Sequence, residues 1–262
     1  TPGFVDPHTH PVFVNSRNNE FIRRIAGESY EKISLDGGGI INNIQELRDI
    51  KEHILFDIVK RRMDTFLKMG TTTIEAKSGY GLDTDSELKS LSVLKKVSDN
   101  HMIDIIPTFM GAHTFPNEFL DNKDGYVDLI CHEMIPAVSD QGIAIFNDVF
   151  CEKGYFSPSQ AKRILNVGKK YGLQPRLHAD EFSNSNAAEL AAEVKAVSAD
   201  HLMAVSNEGI IKMAKNNVIG ILLPGTTFSL GRTNYAPFVT LREKGVEIAL
   251  ATDFNPGSCF IK

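Results

Sequence analysis

Short apolar, β-branched runs recur along this chain with helix-like stretches between them, and that alternation leaves few folds open. The runs predict strands at Gly3–Asp6, Thr71–Ala76, Ile103–Phe109, Phe146–Phe150, Pro175–His178, Ala196–Asp200, Val218–Leu223 and Glu247–Thr252. Helices are predicted over Gln45–Met69, Asp83–Asp99, Gly125–Gln141, Ser157–Tyr171, Asn186–Glu193, Ser206–Lys215 and Tyr235–Lys244. Several boundaries carry their own signals. Ser157-Pro158 supplies an N-cap with proline at the first helical position, and Gly172 follows the cationic Lys169-Lys170 as a stop. Ser206-Asn207-Glu208 opens the sixth helix with cap residues and an early acid. The pattern reads as α/β, a (β/α)8 TIM barrel lacking its last helix, and 262 residues suit the roughly 250 such a barrel takes. An open doubly wound sheet is the alternative, but it calls for a Gly-rich strand–helix turn of the dinucleotide kind. Gly37-Gly38-Gly39 follows no predicted strand and has no Lys-Ser/Thr after it, so it reads as a tight turn. No repeat, low-complexity tract or linker divides residues 1–262, and one domain is expected.

Composition narrows the function classes. Apolar residues make up 42%, enough for a sizeable core, and the net charge of −5 with no basic block argues against nucleic acid or an anionic membrane as partner. Cys131, Cys151 and Cys259 form no close-spaced pair, which fits free thiols in a reducing compartment such as the cytoplasm. No apolar stretch approaches the ~18 residues of a membrane span, and no signal-peptide pattern is present. The chain begins at Thr1-Pro2 and stops just after a loop-like stretch, so both ends read as cut.

Active sites of such barrels lie at the C-terminal ends of the strands, and the polar residues collect there. The first strand ends in His8 and His10, which alternation places on one side of an extended chain, roughly 7 Å apart at Cα. Alone, the pair is equally compatible with a metal site and with two turn-proximal histidines. The second strand leads into Lys77-Ser78-Gly79-Tyr80 and the third into Gly111-Ala112-His113. The fifth ends in His178-Ala179-Asp180-Glu181, the sixth at Asp200-His201 and the eighth at Asp253-Phe254-Asn255. Five of the eight histidines thus sit at strand ends, while His53, His101 and His132 fall in helices or connections and read as surface residues. Three imidazoles and a carboxylate suit a zinc or iron(II) ion with a position left for water. Such an ion makes a nucleophile of its water for attack on a carbonyl, and a carboxylate such as Asp253 can accept the water's proton. His201 and Glu181 are candidates to polarise the carbonyl and move protons. Plainer readings stand beside these: Arg17 as a solvated loop cation, Tyr80 as a turn aromatic, Glu181 as a helix cap, Asn255 as an Asx-turn before Pro256, and Cys151 as a small buried hydrophobe.

These motifs resemble the amidohydrolase superfamily and, within it, the imidazolonepropionase family, over essentially the whole chain. The resemblance rests on Pro2-Gly3-Phe4-Val5-Asp6-Pro7-His8-Thr9-His10, Gly37-Gly38-Gly39-Ile40, Lys77-Ser78-Gly79-Tyr80-Gly81-Leu82 and Phe109-Met110-Gly111-Ala112-His113. It continues through His178-Ala179-Asp180-Glu181, Ser198-Ala199-Asp200-His201-Leu202, Leu222-Leu223-Pro224-Gly225-Thr226 and Ala251-Thr252-Asp253-Phe254-Asn255-Pro256-Gly257-Ser258. The Lys-Ser-Gly-Tyr-Gly and Asp-Phe-Asn-Pro-Gly segments are its most specific parts.

The resemblance implies hydrolytic opening of 4-imidazolone-5-propanoate to N-formimidoyl-L-glutamate in histidine degradation. It implies that His8, His10, His178 and Asp253 hold one zinc or iron ion, that Glu181 contacts the ring and assists proton transfer, and that His201 orients or polarises the reacting carbonyl or its water. Arg17 with Tyr80 would clamp the propanoate carboxylate, a fit for the guanidinium fork. His113 would line the ring pocket, and Asn255, Gly257 and Ser258 would close it. Lys77 follows the second strand, whereas the carbamylated lysine that bridges two metals in some superfamily members belongs to the fourth, so one metal is expected. Full-length members carry a terminal β-sandwich and a final barrel helix. Both are missing from this sequence, which is expected to expose apolar surface near the first and eighth strands. A homodimer is implied for the full-length protein. The alternatives are another cyclic amidohydrolase or deaminase, or an inactive metal-binding fragment.

Overall fold

Every one of the expected strands forms in the computed structural model, which describes residues 2–28, 32, 33, 36, 38–257 and 259. They are β1 (Phe4–Thr9), β2 (Thr71–Lys77), β3 (Asp104–Ala112), β4 (Phe146–Cys151), β5 (Gln174–Ala179), β6 (Ser198–His201), β7 (Ile219–Leu222) and β8 (Ile248–Leu250). All neighbours pair in parallel in the order β1 to β8. Just beyond β8 the chain returns to β1, where Thr9 bridges Phe254, the His10 N–H donates to the Phe254 carbonyl at 2.7 Å and the Asp253 N–H to that of His8 at 3.1 Å. The result is a (β/α)8 TIM barrel.

Asp6 clasps this seam from below. Its buried carboxylate accepts the Thr252 N–H at 3.1 Å and the Thr252 hydroxyl at 2.6 Å. Asp6→Ala leaves both Thr252 donors without their partner, a cost of roughly 1–3 kcal/mol. The chemical-denaturation midpoint should fall accordingly; an unchanged midpoint would show that the seam does not depend on this clasp.

Helices fill the connections: α1 (Asn18–Ile25), α2 (Ile44–Asp49), α3 (Glu52–Lys68), α4 (Thr84–Asp99), α5 (Lys123–Leu129), α6 (Ile135–Gln141), α7 (Pro158–Lys170), α8 (Ala187–Glu193), α9 (Asn207–Lys215), α10 (Pro224–Ser229) and α11 (Phe238–Glu243). Leu55, Val59, Met63 and Phe66 of α3 are buried at helical spacing, which docks that helix on the sheet. Ser157 caps α7 reciprocally with Gln160, and Ser206 caps α9 by accepting the Gly209 N–H.

Departures from the sequence reading have local causes. The stretch Gln45–Met69 is two helices, because Ile50 and Lys51 are extended and Lys89 Nζ takes the carbonyls of Leu47, Arg48 and Ile50 that a continuous helix would use. Between α5 and α6 the chain passes through a π-helical turn at Ile130–Met134, next to Pro136, which lacks the N–H for an ordinary turn. Pro237 delays the start of α11 to Phe238. Helices α1 and α10 are not among those expected: α10 is only six residues long, whereas Phe21, Ile22 and Ile25 of α1 do recur at helical spacing. His53 and His132 are exposed, as expected, but His101 is not a surface residue: its ring bonds Asp64 at 3.1 Å and accepts the Ile103 N–H, pinning the turn before β3. All three cysteines are buried.

Apolar side chains fill the layer between sheet and helices. The barrel interior is different, for Glu75, Lys77, Asp148, Arg176 and Asp200 are buried there; Lys77 meets Asp148, and Glu75 meets Arg176, across strands that are not neighbours, while Arg176 meets Asp200 on the adjacent strand. Phe4, Val5 and Leu250 are 69%, 63% and 63% exposed, the apolar surface expected beside the first and last strands. Among the described residues no helix is long and apolar enough to cross a membrane.

Candidate metal centre

Four donor atoms from three strand ends converge at the mouth of the barrel. His8 Nε2 and His10 Nε2 are 3.2 Å apart, and His178 Nε2 is 3.3 Å from His10 Nε2. Asp253 Oδ1 lies 3.5 Å from His8 Nε2 and 3.3 Å from His10 Nε2. A tetrahedral ion with bonds of about 2.0–2.1 Å has donor–donor edges of roughly 3.3 Å, so these spacings fit a first-row divalent cation. All four residues are buried. His8, His10 and His178 form one group able to hold a metal, and His8, His201 and Asp253 a second that shares His8.

The chemistry of the donors fits as well. Asp200 Oδ2 sits 2.6 Å from His8 Nδ1, and Asp148 Oδ1 3.0 Å from His178 Nδ1. A carboxylate can only accept, so each Nδ1 carries its proton and each Nε2 presents a lone pair to the centre. Lone pairs this close repel one another unless a cation lies among them. Burial pushes the His10 and His178 imidazoles below their ordinary range. His8 is pushed down by burial and by Lys77, but the Asp200 and Asp253 carboxylates beside it outweigh these and raise it. For Asp253, burial acts upward, yet the His10 and His8 imidazoles beside it hold it well below the usual carboxylate range. Thr226 at the start of α10 donates to Asp253 Oδ2 at 2.6 Å and fixes the second oxygen.

Around this cluster a pocket is lined by Arg17, Tyr80, His113, Glu181, His201 and Asn255 together with His10, His178 and Asp253. Arg17 is buried rather than a solvated loop cation, and its guanidinium lies against Gly257, where a Cβ would come within 1.9 Å of it. Tyr80 is fully buried and meets His113 edge-on at 5.2 Å. His113 stacks on His10 at 5.0 Å and donates Nδ1–H to the Gly79 carbonyl at 2.8 Å. Asn255 does make the turn contact, accepting the Gly257 N–H at 2.9 Å, while also lining the pocket. Ser258 lies outside the described residues.

Glu181 is not a helix cap. That task falls to Asp180, which accepts the N–H groups of Ser185, Ala187 and Ala188. Glu152 at the end of β4 holds the same loop by accepting the Phe182 and Ser183 N–H groups. Glu181 Oε1 is instead 3.7 Å from His201 Nδ1. Burial, reinforced by Asp253, pushes the Glu181 carboxyl well above its ordinary range, and burial brings His201 down to about 4. His201 is therefore neutral near pH 7, and Glu181 keeps its proton to higher pH than an ordinary carboxyl. His201 (φ 78°) and Asp253 (φ 54°) have left-handed backbones, a strain of roughly 1–3 kcal/mol each that non-glycine residues bear chiefly at functional sites.

The sequence reading missed the roles of Glu75, Asp148, Arg176, Asp200 and Thr226. A signal was available for the first four. Each is a charged residue inside an otherwise apolar strand, and Glu75 and Arg176 stand two positions from Lys77 and His178, which marks strand faces turned into the barrel.

No protein-family model matches the chain. It is 52% identical over 258 residues, 98% of its length, to the imidazolonepropionase of Geobacillus thermodenitrificans (strain NG80-2), and spans 61% of that relative's length. Among solved structures it matches 5-methylcytosine deaminase from Klebsiella pneumoniae with a TM-score of 0.73 at 16% identity, covering 97% of this chain and 64% of that one. An adenosine deaminase from Xanthomonas campestris with bound zinc gives a TM-score of 0.62 at 17% identity, over 96% of this chain and 56% of that one. At such identities the likeness is one of fold.

Proposed function

We propose that this chain, homologous to imidazolonepropionases along 98% of its length, is the metal-dependent catalytic barrel domain of such a hydrolase. It opens the ring of 4-imidazolone-5-propanoate by breaking its cyclic amide bond and releases N-formimidoyl-L-glutamate. The observation that carries this reading is the union of two chemistries in one pocket, which a His/Asp donor cluster and buried Arg17 line together.

His8, His10, His178 and Asp253 would hold one divalent ion, zinc or iron, which when bound brings the pKa of a water towards neutrality. Asp253, held ionised, accepts the proton that the attacking water loses. His201 orients and polarises the ring carbonyl as a neutral donor. Glu181, held protonated, contacts the ring and delivers a proton to the departing ring nitrogen as the C–N bond breaks. Arg17 and Tyr80 clamp the propanoate carboxylate, His113 lines the ring pocket, and Asn255, Gly257 and Ser258 close it. A small-molecule substrate, a cytoplasmic setting, a homodimer and the lack of nucleic-acid or membrane partners belong to the same proposal.

Loading the metal-free chain with Zn²⁺ or Fe²⁺ and following loss of the imidazolone tests it directly. Arg17→Ala should raise KM about 10²-fold with a smaller change in kcat, since a charge-assisted bidentate contact worth roughly 1.5–3 kcal/mol is lost. An unchanged KM would show that the carboxylate clamp, and with it the substrate, is wrong. Bound metal with no turnover would favour another cyclic amidohydrolase or deaminase, or a metal-binding scaffold.

A further inference from the structure

Lys77 has no part in the chemistry above, yet its ammonium is wholly buried in the barrel interior. Nζ donates to Glu75 Oε1 at 2.9 Å and to Asp148 Oδ2 at 2.8 Å. The other oxygen of Asp148 receives the His178 Nδ1–H at 3.0 Å and the His178 backbone N–H at 3.2 Å. A second arm mirrors the first: Arg176 donates to Asp200 Oδ2 at 2.8 Å, the atom that also receives the His8 Nδ1–H. Glu75 Oε1, 3.6 Å from Arg176, joins the two. One polar chain therefore runs His178–Asp148–Lys77–Glu75–Arg176–Asp200–His8. The third imidazole has no such arm, for His10 Nδ1 lacks a hydrogen-bond partner among the described residues.

We propose that Lys77 is a positioning residue of the metal centre, acting through Asp148 to fix the orientation of the His178 ring and so the affinity for the divalent ion. The inference rests on His178 being a ligand. Lys77 Nζ holds Asp148 Oδ2 at 2.8 Å, which leaves Oδ1 aimed at both N–H groups of His178 and turns the ring so that Nε2 faces His10 Nε2 at 3.3 Å. Without the ammonium the carboxylate loses one of its two anchors, and the ring it orients is free to turn. Two carboxylates in contact with Nζ also require a cation there, which a carbamylated lysine would not be.

The test is the Zn²⁺ affinity of the metal-free chain, measured by competition with a chelator, for the parent, Lys77→Met, Asp148→Asn and the double variant. Lys77→Met should weaken binding about 10–100-fold, the range for partners one step behind a ligand. The double variant should bind no more weakly than Asp148→Asn alone, because Lys77 acts through that carboxylate. If Lys77→Met cannot fold with two uncompensated carboxylates, the comparison of the double variant with Asp148→Asn still decides. Zn²⁺ binding by Lys77→Met within twofold of the parent, or a double variant weakened by the product of the single losses, overturns the proposal. His178→Ala serves as the separate check: parent-like Zn²⁺ affinity there would refute the ligand assignment instead.

Discussion

Asp253→Asn should reduce imidazolone hydrolysis by about 10³-fold or more, the largest loss expected from a single change. The residue has two tasks at one position. Its Oδ1 lies within 3.5 Å of both β1 imidazoles, where it supplies the only formal negative charge among the proposed donors, and it is the proposed acceptor of the water's proton. Asparagine keeps the shape and tolerates the left-handed backbone at φ 54°. The loss therefore reports charge and basicity rather than a collapsed loop. Elemental analysis should show reduced metal content, while the melting temperature of the metal-free protein stays near that of the parent. Hydrolysis within tenfold of the parent would remove Asp253 from both roles.

Glu181→Gln should lower kcat about 10²–10⁴-fold with metal content unchanged. Its carboxyl is buried beside Asp253 and Glu152, which keeps it protonated above the ordinary carboxylate range. A proton donor must hold its proton, so activity that depends on it falls as pH rises through this raised pKa. The parent should accordingly lose kcat on the alkaline side, and the glutamine variant should lack that limb. The same limb in both proteins would assign the titration to another group and leave Glu181 a ring contact only. The 3.7 Å separation from His201 adds a second expectation. If the two groups act on the same substrate atoms, the losses from Glu181→Gln and His201→Ala will not multiply.

The strands were legible because their apolar, β-branched runs are set by local side-chain chemistry, and the i, i+2 spacing of His8 and His10 follows from the pleat alone. Helix interiors were less so. The break at Ile50-Lys51 depends on Lys89 reaching the α2 carbonyls from another helix, and no pattern within Gln45–Met69 shows it. The candidate site divides in the same way. Its strand-end histidines stood out by position, and the family resemblance lifted Arg17 and Tyr80 above their ordinary readings. By contrast, Asp180 rather than Glu181 caps the following helix, a choice between adjacent acids that only the loop's path makes.

By itself the sequence determined the alternation that makes a barrel, the strand ends at which chemistry falls, and the types of donor available there. Periodicity, capping and pairing along a strand act over a few residues, so they can be read in order. What the tertiary structure decided is which of those groups meet. His8 and Asp200 are 192 positions apart, and Lys77 and Asp148 71 apart, yet barrel closure brings each pair within 2.8 Å. Whether a charge there is a solvated surface group or a buried partner depends on water being excluded from all sides at once. Exclusion of that kind is a property of the closed barrel and of no strand within it.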